Sequence, residues 1–118
     1  MRTSAFAALF VLTAAPALAG DEKATETLLL EQALHGMDGK VVSMVRVDIP
    51  PGWQTPRHHH PSNVFVYVLE GAIEVEIEGS GMQKASAGEV IYETPDRPMV
   101  GRNASSSEGA RLIMFHLG

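Results

Sequence analysis

The run Pro51-Gly52-Trp53-Gln54-Thr55-Pro56-Arg57-His58-His59-His60, followed by Val64-Phe65-Val66-Tyr67-Val68-Leu69 and the turn Glu70-Gly71, decides how this chain is read. Side chains alternate across an extended backbone, so His58 and His60 share one face while His59 takes the other. Two imidazoles on one face can hold a metal ion. Behind them, Val64, Val66 and Val68 alternate with Phe65, Tyr67 and Leu69, apolar on both faces. That pattern predicts a strand covered on both sides, one by a barrel interior and the other by a second layer or a partner subunit.

Working outward, short β-like runs recur at Thr25 to Leu30, Val41 to Ile49, Ala72 to Ile77, Glu89 to Glu93 and Ala110 to Leu117. Turn signals separate them, and no long helical period competes. The punctuation is that of a small all-β barrel. In Ala72 to Glu78 the alternation is cleanest. Ile73, Val75 and Ile77 should face the core, leaving Glu74, Glu76 and Glu78 solvated and unsuited to acid-base work.

The ends and composition bound the rest. Residues 1–19 read as a secretory signal: Arg2, the apolar stretch Ala5 to Ala15, then Ala17-Leu18-Ala19 as a small-x-small cleavage pattern. The apolar stretch is too short to span a bilayer, so no stable membrane anchor is expected. One domain, residues 20–118, would remain, with a periplasmic or secreted location. The formal charge of −5 deepens to −6 when Arg2 is removed, which argues against a nucleic-acid partner. Cysteine is absent, excluding thiol catalysis. Without a Gly-rich nucleotide fingerprint, no organic cofactor is predicted.

The arrangement of Gly52, His58, His60 and Gly71 resembles the first motif of the cupin family, and Gly88, Pro95 and Asn103 trace its second. Tyr67-Val68-Leu69-Glu70-Gly71 is also typical of that family. The resemblance implies an all-β fold, the cupin-type double-stranded β-helix or small jelly-roll barrel. It also implies a small-molecule ligand, homodimers, and one divalent transition metal: iron, manganese, zinc or copper. The motif's carboxylate position falls on Val64, or Phe65 in the other permitted register. Its last histidine falls on Met99, or on Pro98 with the longer spacing.

His58 and His60 are therefore the candidate metal ligands, and Gln54, Val64, Met99 and His116 are further pocket or ligand positions. A thioether at Met99 suits copper. His116 shares a strand face with Met114 and Leu112 and supplies a third imidazole if that face points inward. No carboxylate replacing the one missing at Val64 is evident, and Asn63 beside it is a weak oxygen donor. Trp53 and Tyr67 are candidates for an aromatic wall, and Arg46 and Arg57 for capture of an anion. Two functions follow. One is an exported metal-dependent enzyme of dioxygenase, isomerase, decarboxylase or lyase type, with no catalytic residue assignable. The other is a noncatalytic binding or stabilising module with a degenerate metal site.

Overall fold

A computed structural model describes residues 23–118. The expected secretory signal lies outside these residues. The described chain forms eight strands: β1 Thr25–Ala33, β2 Val41–Ile49, β3 Asn63–Glu70, β4 Ala72–Ile77, β5 Gly81–Ser86, β6 Val90–Glu93, β7 Met99–Asn103 and β8 Ala110–Leu117. They make two antiparallel sheets, ordered β1-β2-β8-β3-β6 and β5-β4-β7. This is the expected all-β jelly-roll.

The core lies between the sheets. Val47, Ile49, Val64, Val66, Val68, Ile91 and Leu112 from the larger sheet pack with Ile73, Val75, Ile77, Ala85 and Met99 from the smaller. The alternation in β4 holds: Ile73, Val75 and Ile77 are buried, Glu76 is exposed, and Glu74 is half-buried on the outer face, where Arg102 Nε donates to it at 2.9 Å.

Two strands escaped the sequence reading. In β5 only Ala85 is buried, so Gly81-Met82-Gln83-Lys84 shows no core alternation. In β7, Met99 and Asn103 are buried but Pro98 precedes the run and Gly101 interrupts it. Both are organised by pairing with β4, a long-range contact that local composition does not encode.

Gly71 turns β3 into β4 with φ of 79°, and a Cβ there would lie 2.8 Å from the Gly109 carbonyl oxygen. Glycine satisfies both constraints. Buried Asn103 has a structural task. Its Nδ2 donates to the carbonyls of Pro50 at 3.1 Å and Glu108 at 2.8 Å, while its Oδ1 accepts from Ser105 N at 2.9 Å. These bonds fasten two loops to one barrel end.

Of the two covers expected for the outer face of β3, the second layer is corrected: within a single chain Phe65, Tyr67 and Leu69 are 38 to 40% exposed. The valines of the opposite face alone fill the interior.

Candidate metal and ligand site

The segment between β2 and β3 behaves as an improvised strand along β7. His58 N donates to Met99 O at 3.0 Å and Met99 N donates back to His58 O at 2.8 Å. Thr55 N donates to Gly101 O at 2.8 Å. The bridges Gln54 to Arg102 and His58 to Met99 differ in register by one residue, so an extra residue is accommodated between them. Parity flips there: Trp53 and Thr55 face inward before it, His58 and His60 after it.

These residues line a cavity of about 300 Å³. Its walls are largely aliphatic, with Val45, Val47, Val66, Ile73 and Leu112 among them. His58, His60, Glu93, Met99 and His116 all face it. His59 is exposed and outside, as alternation predicts.

Both candidate ligands are fixed in one tautomer. His58 Nδ1 lies 2.9 Å from Pro56 O, and His60 Nδ1 lies 2.9 Å from Ser62 O. A carbonyl only accepts, so each Nδ1 carries a proton and donates it, which leaves each Nε2 as the coordinating atom. Metal-ligating histidines are commonly oriented in this way. His116 is half-buried, and its pKa is lowered by burial and by the neighbouring His60. Its neutral, ligating form is thereby favoured.

A buried carboxylate, Glu93, lies one strand away from Val64. Val64 on β3 pairs laterally with Glu93 on β6 and, on its other side, with His116 on β8. Glu93, Val64 and His116 thus form one inward-facing row across three strands. Glu93 Oε1 lies 3.1 Å from His60 Nε2. With His60 Nδ1 already donating to Ser62, this contact holds one shared proton. Burial raises the Glu93 pKa, partly opposed by His60.

Several expectations need correcting. A carboxylate does face the cavity, that of Glu93. Val64 is fully buried and packs in the row behind the cavity without lining it. Gln54 is exposed beside Arg102, outside the cavity, because the parity flip comes after it. Tyr67 lies on the outer sheet face, so Trp53 alone is the aromatic wall. Arg46 pairs with Asp48 and Arg57 with Glu78 at the surface. Met99 and His116 do face the cavity.

The donor set suits a transition metal, with imidazole nitrogens oriented by backbone carbonyls and a carboxylate among them. It is not drawn together. Ring centres are 6.3 Å apart for His58 and His60 and 6.4 Å for His60 and His116. Two imidazoles at adjacent positions on one ion bring their centres to roughly 5 Å, given metal–nitrogen bonds of ~2.1 Å. Among the described residues no group of three acidic, cysteine or histidine side chains sits at ligating spacing.

The sequence profile of the cupin domain matches residues 45–116, a stretch that contains the whole row and both motif segments. This chain belongs to the cupin family. A 45-residue stretch, 37% of the chain, is 44% identical to germin-like protein 1-1 of Oryza sativa subsp. japonica; it spans only 21% of that relative's length. Among solved structures, the cupin domain of Schizosaccharomyces pombe Cnp3 superposes with a TM-score of 0.66 at 17% identity, covering 80% of this chain and 61% of that one. An RmlC-like cupin from Shewanella frigidimarina gives 0.62 at 19% identity, covering 86% and 78%.

Proposed function

We propose that this cupin binds a small molecule in the apolar cavity and holds a divalent transition metal through His58, His60 and Glu93, with His116 as a further ligand. The observation that carries the reading is the backbone-fixed tautomer of both histidines beside a buried carboxylate. A bound ion would supply Lewis acidity, polarising a ligand carbonyl or carboxylate. Trp53 and the aliphatic walls bury the ligand's apolar body, while His60 and Glu93 hold a proton at the polar end. The reaction is then of dioxygenase, isomerase, decarboxylase or lyase type.

Removing the carboxylate tests it as a ligand. Glu93→Ala should weaken Mn²⁺ or Zn²⁺ binding by roughly 10 to 100-fold. Calorimetric titration checks this. Unchanged affinity in Glu93→Ala would remove the carboxylate from the site. Parent affinity should rise with pH, because the ion displaces the proton shared by His60 and Glu93, which burial of the carboxyl retains to higher pH.

A second reading, a noncatalytic binding module, has one observation in its favour: Glu93 occupies His60 Nε2, while Met99 supplies a thioether in place of an imidazole. It predicts ligand binding without metal dependence.

Homodimerisation belongs to the same proposal. Tyr92, Phe65, Phe115, Met44 and Leu30 pair laterally into one apolar row across the outer face of all five strands of the larger sheet. The Phe65 and Tyr92 rings stack with centres 5.1 Å apart. Such a face is matched by a second copy about a two-fold axis. Light scattering should give twice the chain mass, and Phe65→Glu should give a monomer; a monomeric parent contradicts this. Export is proposed too, with an intact mass starting at Gly20 as its test.

A further inference from the structure

The polar atoms of the cavity define what a small molecule must bring to it. Glu93 is the one carboxylate buried among the lining residues, at 6% exposed, and its Oε1 is taken by His60 Nε2 at 3.1 Å. Wherever the proton shared by that pair sits, Oε2 is left to accept a hydrogen bond. His58 adds a second acceptor. Its Nδ1–H is spent on Pro56 O at 2.9 Å, which leaves Nε2 without a proton of its own.

Charge narrows the class. Arg102 is the only lysine or arginine among the lining residues, and its Nε donates to Glu74 on the outer face at 2.9 Å. Among the described residues no free cation is left in the cavity to meet a carboxylate or phosphate, and exposed Glu26 at its rim repels one. A buried ammonium is no better served, because the His60–Glu93 pair with its proton is neutral as a whole and Glu26 is solvated. An uncharged donor fits. A hydroxyl also accepts, and Thr55 can donate to it: its Oγ1 accepts from Gly101 N at 2.9 Å and has its own O–H left over.

The volume sets the size. A cavity of about 300 Å³ equals about ten waters at ~30 Å³ each, room for one ring with a short substituent. Trp53, partly buried against the core, gives that ring a face to stack on. Resting on the small-molecule half of the reading above and on no metal, we infer that this cavity takes an uncharged aromatic alcohol of one ring, its ring against Trp53 and its hydroxyl donating to His58 Nε2 or Glu93 Oε2. Carboxylates and ammonium ions of the same shape are rejected.

The test titrates the full chain at pH 8, above the ordinary imidazole range, with a chelator present so that no ion bridges a carboxylate to the histidines. Four molecules share one ring: benzyl alcohol, toluene, benzoate and benzylamine, the last an ammonium at this pH. Trp53 is the single tryptophan of the chain, so a saturable change in its emission reports occupancy of the cavity directly. Benzyl alcohol should bind about 5 to 10-fold more tightly than toluene, the worth of one net hydrogen bond, and at least about 10-fold more tightly than benzoate or benzylamine. The parent series decides by itself, independent of any variant's folding. In the double variant His58→Leu, Glu93→Leu the alcohol should lose its advantage over toluene, whose own binding shows the cavity intact. Toluene, benzoate or benzylamine matching the alcohol in the parent, or an advantage that survives the double variant, would overturn the ligand class while leaving an apolar site standing. A parent whose Trp53 emission responds to none of the four would overturn the small-molecule reading, and this inference with it.

Discussion

Replacing Ile77 by Asp will lower the stability of the barrel by about 3 to 5 kcal/mol, whereas Glu76→Ala beside it will change stability by less than about 0.5 kcal/mol. Ile77 is 2% exposed, belongs to the core between the two sheets and does not line the cavity. An aspartate there has neither water nor a cation to meet, so the lost apolar burial and the desolvated carboxyl act together. Glu76 occupies the outer face of the same strand, and its removal trims a solvated side chain. For a domain of this size the Ile77 variant should melt ~15 °C or more below the parent. Val75→Asp should be milder, because Val75 borders the cavity and a carboxylate there can reach polar space. Equal melting temperatures for the Ile77 and Glu76 variants would mean that β4 presents its other face to the core.

Much of this architecture was legible in the chain. Val41–Ile49, Ala72–Ile77 and Ala110–Leu117 carry alternation strong enough to fix their bounds, and the structure keeps them to the residue. β1 extends past Leu30 to Ala33, and its register with β2 shifts between Leu28 and Leu30. An irregularity of that kind leaves no mark in residue types.

The site divides in the same way. His58 and His60 could be placed on the cavity from alternation, Met99 only from its position in the family motif, and His116 only on the condition that the face it shares with Met114 and Leu112 points inward. Gln54 was misplaced because the one-residue shift between Thr55 and His58 reverses parity, and Pro56-Arg57 gives no residue-level sign of it. Glu93 was missed for a different reason. Glu93 is the cross-strand neighbour of Val64, and a residue brought to the cavity by strand pairing has no place in a linear motif. One signal was present: in Val90-Ile91-Tyr92-Glu93, Ile91 and Glu93 share a face, so an inward Ile91 requires an inward Glu93.

The second large effect concerns the histidines. His58 and His60 are each held by a backbone carbonyl with Nε2 left to coordinate, while His59 is exposed and lines nothing. Removing either inner imidazole takes away one of the two donors that a backbone carbonyl holds ready to coordinate. Removing His59 leaves the donor set whole. The decisive measurement is a metal titration at fixed pH of the parent beside His58→Ala, His60→Ala and His59→Ala. The account predicts one ion per chain in the parent and in His59→Ala, and affinity reduced by about 100-fold or more in His58→Ala and in His60→Ala. Equal losses in all three variants, or a parent that takes up no ion, would contradict it.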